Sequence, residues 1–340
     1  VSIDQMSAMI QDARALRQMF VPAELRHREG DVDAVSSHLR PIENGLAGDD
    51  VLLTGPSGTG KSTLARFVTQ ELEQATLDVR TGCVTCTSDS SKTEALYALV
   101  RDLGIGKPIP RTSASTSLLL DRIREADDQL VLVVDEVDQL ADRSILATLY
   151  EIPHVTMLMV CIDGDVLLAD AEPRVQSRLW TAASVTLEPY SRGQLADIVM
   201  ARANAGLHAG TFSQASADKI GDLAAGDAHY AIALLRRAAR EATTEGVDRI
   251  TPSLIEEVTG DAYRERREQK VNGLSTHHRL LYDIIEEHGE ISAGDLHATY
   301  EERAQDPRAR SSRRRYLHVL ENYDLVEKEG ATRDAVYRQK

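Results

Sequence analysis

Lysine is scarce in this chain: only 7 of its 39 basic residues are lysine, and arginine supplies the other 32. Aromatic residues are few as well, with 3 Phe and 1 Trp in 340 residues. Cysteine occurs three times, at Cys83, Cys86 and Cys161, and an odd count this low excludes a disulfide framework. Cys83 and Cys86 form a single CxxC; with no second CxxC or HxxxH to complete four ligands, a structural zinc site is disfavoured. No apolar run approaches the roughly 18 residues of a membrane span. Residues 1–20 lack the basic start and apolar core of a signal peptide, so the expected location is cytoplasmic, away from any membrane.

Acid is plentiful. The net charge is −15, and with so little lysine the composition is that of a salt-adapted protein. Global charge then says little about partners, because screening confines surface electrostatics to about 3 Å at 1 M salt. Local charge is more informative, and "RARSSRRRY" (308–316) concentrates five arginines in one short stretch.

The length allows two or three domains. Val32, Val35, Leu39 and Ile42 recur at helical spacing over 31–47. Four apolar strands follow, at 51–54, within 129–140, at 155–162 and at 183–189, alternating with helical stretches. That alternation predicts an α/β domain with a parallel sheet over 1–188. Four helices with Ser, Asp or Thr at their starts then predict an all-α domain over 189–262, and the charged run "YRERREQK" leads into a linker at 263–271. Over 272–340 three helices precede two short strands around a charged turn, the order of a winged helix.

Gly55-Pro56-Ser57-Gly58-Thr59-Gly60-Lys61-Ser62, followed by Thr63, satisfies GxxxxGK[ST] with a strand before it and a helix after. Loop amides and a helix N-terminus converge on phosphate, Lys61 reaches the β- and γ-phosphates, and Ser62 is placed to ligate Mg²⁺. Asp135, closing an apolar strand, is the second Mg²⁺ candidate, and Glu136 beside it is the candidate to orient or deprotonate an attacking water. The expected cofactors are ATP or ADP with Mg²⁺.

The P-loop, "VVDEVD" (133–138), "GDAHYAIALLRRA" (226–238) and a terminal winged helix, in that order, resemble the archaeal origin recognition and cell-division-control initiators, AAA+ proteins related to eukaryotic origin-recognition subunits. The likeness covers nearly the whole chain and implies an AAA+ core, a helical lid and a winged-helix domain. It implies that Pro22, Leu25 and Arg28 in "FVPAELRHRE" belong to a segment closing over adenine. It also implies that Arg178 in "EPRVQSRLW", or failing it Arg174, reaches a neighbouring subunit's ATP. Two positions depart from the family: Gly164 stands where a polar sensor, often Asn, is usual, and His229 where the lid normally carries Arg. Both departures imply slow hydrolysis, with ATP acting as a conformational switch. Residues 88–118, with Lys92, Lys107 and Arg111, match the family's helical insertion or are a plain surface loop.

On a helical wheel, residues 311–323 gather Tyr316, Leu317, Val319, Leu320 and Tyr323 on one side and Ser311, Arg314, Arg315, His318 and Asn322 on the other. Arg313 leans to the apolar edge, from where the first turn still lets it reach outward. Such a helix enters the major groove in winged-helix proteins. The expected DNA contacts are Arg310, Ser311, Arg313, Arg314, Arg315, His318 and Asn322, with Arg308 on phosphate and Lys328 and Arg333 in the wing. Residues 272–340 carry net −2 against −13 for the rest, so the cluster is a local patch on a less acidic module. The resulting expectation is an ATP-dependent origin-binding replication initiator. Its partners would be duplex origin DNA, the replicative helicase and other initiator subunits. The alternative is a nucleotide-sensing, DNA-binding transcriptional regulator that does not load helicase.

Overall fold

The computed structural model describes residues 9–86, 91–169, 171–330 and 335–340. Two compact units divide it, one ending at Tyr263 and the other running from Arg264 to Lys340.

In the first unit α1 (Glu29–Leu39) ends sooner than its apolar spacing suggests, tightening into a 3₁₀ turn over Arg40–Asn44 that stops at Gly45 in the left-handed region. Pro41 has no N–H to continue the α-helical ladder, which accounts for the change. There follow β1 (Val51–Thr54), α2 (Lys61–Ala75), β2 (Val79–Thr85), α3 (Lys92–Leu103), α4 (Thr116–Arg124), β3 (Gln129–Asp135), α5 (Ser144–Tyr150), β4 (Val155–Val160), α6 (Gly164–Ala169), α7 (Pro173–Leu179) and β5 (Ala183–Thr186). The strands form one parallel sheet in the order β2-β3-β4-β1-β5. Successive side chains of the central strands serve opposite layers. Val131, Val133, Leu158 and Val160 pack with Leu64 and Val68 of α2, while Leu132, Val134, Met157 and Met159 pack with Leu96, Leu99 and Leu119 of α3 and α4.

β2 is a strand that the apolar pattern does not reveal. It lies at the sheet edge, and only Val79, Gly82, Val84 and the flanking Cys86 are buried there. The backbone N–H groups of Thr81 and Cys83 donate to carboxylate oxygens of Glu73 and Asp102, both at 2.7 Å. The edge is thus capped by side chains. Cys83 in β2 and Cys86 just past its end join opposite layers, which rules them out as a disulfide pair. Among the described residues no cluster of His, Cys, Asp and Glu could hold a metal ion by itself.

The sheet is followed by α8 (Arg192–Gly206), α9 (Gln214–Ala224), α10 (Ala228–Glu245) and α11 (Pro252–Asn272), and the described parts of these helices share a core of their own. Ser191 caps α8 in a capping box with Gln194, while Ser213 and Asp227 cap α9 and α10. The charged run at 263–270 is the helical end of α11, which begins in the first unit and ends in the second.

The second unit contains α12 (Thr276–His288), β6 (Glu290–Ser292), α13 (Ala293–Arg303), α14 (Arg310–Asn322), β7 (Val326–Glu329) and β8 (Val336–Gln339). The strands pair antiparallel in the order β6-β8-β7. This is a winged helix, and β6 is the strand that its three-residue length hides in sequence. No helix among the described residues is long and apolar enough to cross a membrane.

Candidate functional site

The P-loop joins β1 to α2 and depends on backbone that only glycine adopts easily. Gly55, Gly58 and Gly60 have φ of 132°, 80° and 90°. Each also faces a neighbour that a methyl group would strike. A Cβ on Gly55 would lie 2.3 Å from the Leu187 carbonyl oxygen, and one on Gly58 2.2 Å from the Asp227 carboxylate. Thr59 is fully buried, its Oγ1 donating to the Pro56 carbonyl at 3.0 Å. The Lys61 ammonium donates to the carbonyls of Gly55 (2.6 Å) and Pro56 (2.8 Å). Burial lowers its pKa, and Asp135 opposes that shift.

Asp135 ends β3 with its carboxylate buried, and Ser62 Oγ donates to Oδ1 at 2.9 Å. Burial pushes this carboxyl up, while the Ser62 bond and the charges of Arg66 and Lys61 pull it back. One hydroxyl and one carboxylate at the head of α2 are hard oxygen donors that suit Mg²⁺, an ion that takes its remaining ligands from phosphate and water. Glu136, half-buried, has φ of 55°, an uncommon conformation for a residue with a Cβ and one that gathers at functional sites. Ser57 and Thr63 are half-buried and Pro56 is exposed on the loop.

A collar closes around the loop. Arg28 is buried: it donates to the carbonyls of Thr59 (2.9 Å) and Glu188 (2.5 Å), pairs with Asp31 at 3.1 Å and stacks 4.1 Å from the Tyr190 ring centroid. It therefore braces the P-loop through protein contacts. Leu25 packs against the α1–α2 side of the core, and Pro22 is half-buried. The segment before them is tied to α8 by Arg202, which donates to the carbonyls of Ala15 and Phe20. From the lid, the Ala228 N–H donates to the Gly58 carbonyl at 3.0 Å, placing the start of α10, with half-buried His229, against the loop. Gly164 opens α6 over β1, where a Cβ would come within 3.1 Å of Thr54 and 3.3 Å of Leu52, so close packing favours glycine there. Tyr190 and Arg202 carried no motif; only their proximity in the fold brings them forward, and the fold adds to Asp227, already within the lid motif, a carboxylate set against Gly58.

Arg178 lies apart from this cradle, on α7, with its guanidinium 4.5 Å from the Tyr150 ring centroid. Arg174 beside it pairs with Glu151 at 2.5 Å. Of the insertion candidates, Lys92 reaches Ser144 at 3.1 Å and Arg111 pairs with Glu94 at 3.1 Å, while Lys107 is exposed.

In the second unit α14 buries Leu317 and Leu320 and exposes Arg310, Ser311 and Arg314. Arg315, half-buried, donates to Ser312 at 3.0 Å, and His318 and Asn322 are half-buried too. Arg313 corrects the sequence reading. It is 4% exposed, donating to the His297 carbonyl (2.9 Å) and to Glu301 (2.5 Å), with its guanidinium 5.2 Å from the Tyr300 ring centroid. On the apolar side of α14 it clamps α13, and it is removed from the DNA contacts. Exposed Arg308 donates to His277 Nε2 at 3.1 Å. Lys328 is exposed on β7, and Arg333 lies outside the described residues.

Comparison with known proteins agrees with this layout. Residues 50–164 match the AAA domain model, and residues 196–259 match the Cdc6 AAA+ ATPase-type lid domain. ORC1-type DNA replication protein 1 of Halobacterium salinarum is 40% identical over 303 residues, covering 89% of this chain and 98% of that protein. This chain belongs to the ORC1-type DNA replication protein family. Another member, ORC1-type DNA replication protein 9 of the same organism, is 36% identical over 330 residues, 97% of this chain and 93% of that one. In fold, the ORC1-type chain is similar to the Aeropyrum pernix ORC1 protein solved in complex with DNA. The TM-score is 0.76 at 23% identity, covering 98% of this chain and 93% of that one.

Proposed function

We propose that this chain is a nucleotide-dependent initiator of DNA replication. Its P-loop binds ATP or ADP, its winged helix docks duplex DNA at an origin, and the assembled complex recruits the replicative helicase. The observation that carries this reading is α14: its apolar side is buried in the unit, while Arg310, Ser311 and Arg314 stand in solvent on the outer side. That is the arrangement that lets a helix lie in the major groove while neighbouring arginines meet phosphate. Family membership and the fold shared with a DNA-bound relative support it.

In the first unit the loop amides and Lys61 hold the phosphates, with Ser62 and Asp135 presenting oxygen to Mg²⁺. When bound, the ion would supply positive charge that offsets the negative charge of the phosphates. Glu136 orients or deprotonates the attacking water, and Arg178, or Arg174, serves the ATP of a neighbouring initiator subunit. Gly164 lacks a side chain to hold that water, and His229 is shorter than arginine and lacks its fixed guanidinium fork. Hydrolysis is therefore slow and ATP works as a switch. The same two residues favour the second reading, a DNA-binding transcriptional regulator that senses nucleotide without loading helicase.

The test is to recover genomic DNA bound by the purified protein at high salt with ATP, alongside an Arg314→Ala/Arg315→Ala variant. A few sharp sites with repeated elements, lost in the variant, are expected. Diffuse recovery unchanged by the variant would remove origin recognition from this winged helix. Sharp sites lying only at promoters, with no origin among them, would favour the regulator.

A further inference from the structure

Arg66 stands on α2 one turn beyond Ser62, at i+4 and so on the same side of the helix. Its Nη2 lies 4.0 Å from Asp135 Oδ2, while Ser62 Oγ donates to Oδ1 at 2.9 Å. The two oxygens of this buried carboxylate thus face different partners, one toward the head of the P-loop helix and the other toward a guanidinium. The guanidinium is itself held in place: Nη2 contacts Cys83 Sγ at 3.6 Å and Nη1 contacts Met19 Sδ at 3.3 Å. These contacts form one wall of an open cavity of about 590 Å³ between α2, β2 and α3. Arg66 thus has contacts on its far side as well as facing the carboxylate.

We propose that Arg66 is a positioning residue that leaves Asp135 only Oδ1 to offer a metal ion, and that it thereby favours Mg²⁺ over Ca²⁺ at the nucleotide site. The inference rests on the reading of the P-loop as a Mg²⁺–nucleotide site. Its chemistry follows from the coordination habits of the two ions. Mg²⁺ is small and octahedral, binding one oxygen of a carboxylate and keeping several waters. Ca²⁺ takes six to eight oxygens and readily accepts both oxygens of one carboxylate. A guanidinium facing Oδ2 obstructs the two-oxygen mode by position and by charge, and leaves the one-oxygen mode open. Arginine suits this task because its planar fork keeps a fixed orientation, whereas a lysine ammonium is a single point on a flexible stem.

The test measures ATP affinity by titration calorimetry in Mg²⁺, in Ca²⁺ and in chelator, with no turnover required. Wild type is compared with Arg66→Gln, Arg66→Lys and Lys61→Ala, and melting curves report folding. Arg66→Gln is expected to raise the ratio of Ca²⁺-supported to Mg²⁺-supported affinity by about fivefold to tenfold, leaving affinity in chelator within about twofold. Arg66→Lys should shift the ratio less, by about twofold to threefold, because it restores the charge without the fork. Should Arg66→Gln fail to fold, the Arg66→Lys ratio decides. An unchanged ratio, or a loss that is equal in all three conditions, overturns the proposal. If wild type binds ATP no better than Lys61→Ala, the nucleotide reading itself fails, an outcome distinct from wild-type binding with an unmoved ratio.

Discussion

The P-loop cradle and the outer side of α14 are both proposed to meet phosphate, and they are built in opposite ways. In the cradle, Lys61 is buried on loop carbonyls and the shape comes from backbone: three left-handed glycines, two of them within 2.3 Å of where a methyl group would strike a neighbour. On α14 the charges that face outward are side chains in solvent, and the helix beneath them is packed through its other side, at Leu317 and Leu320. A cradle is specified by what cannot be altered, whereas a surface patch is a sum of parts. The first should fail all at once and the second by degrees.

Lys61→Ala sets the upper end of that contrast. ATP affinity should fall by about 100-fold or more, on the order of 3 kcal/mol, with DNA affinity in the absence of nucleotide unchanged. Calorimetry and a DNA gel shift on the same preparation check both halves.

Arg313→Ala should break the rule within α14 itself. Because this arginine is buried, its loss should destabilise the second unit by about 2–3 kcal/mol, whereas Arg314→Ala next to it should shift stability by about 0.5 kcal/mol or less. Urea unfolding of the two variants is the comparison to make. Equal stabilities would return Arg313 to the DNA-contacting set.

Acid offers a third probe. Burial, with neighbouring His277 adding to it, lowers the His278 pKa from its usual 6.5 to about 4. Between those values the unfolded chain binds more protons than the folded one, so stability rises with pH. The contribution is full above about pH 6.5 and is lost as pH falls toward 4, amounting to up to about 3 kcal/mol from this side chain. Melting of the His278→Gln variant should lose much of that slope, while nucleotide binding at pH 7 stays as it was.

The smallest effect belongs to single surface arginines. Arg314→Ala should reduce the slope of log affinity against log salt by about 1 and weaken DNA binding by about tenfold or less. A collapse of binding in this variant would mean that the patch behaves like the cradle after all.

The same contrast explains what was legible in sequence. GxxxxGKS and an apolar strand ending in Asp-Glu are contiguous signals, and the structure brings Ser62 and Asp135 to 2.9 Å. Four core strands and the caps Ser191, Ser213 and Asp227 were readable for the same reason, since each is a local pattern. β2 was not, because an edge strand with Arg80, Thr81 and Gly82 in its first half lacks the continuous apolar run of its neighbours. Arg313 misled because a wheel gives direction without the neighbour, and only the fold shows α13 offering it a carbonyl and a carboxylate. Arg28 was assigned to the correct neighbourhood for another purpose: it spans 31 residues to Thr59 and 160 to Glu188, distances in sequence that no motif encodes.

The carboxylates of Glu73 and Asp102 on the free margin of β2 bear on crowding. A sheet that stops at a bare strand invites a second chain to continue it, and concentrated protein then passes from solution into fibre. Here two of the outward amides, those of Thr81 and Cys83, already have acceptors, so an incoming strand must displace both carboxylates before its own carbonyls can bond there. The salt that suits so acidic a molecule would weaken charge repulsion between copies. These short hydrogen bonds do not depend on repulsion across a distance, and they keep the margin closed when that long-range protection is gone.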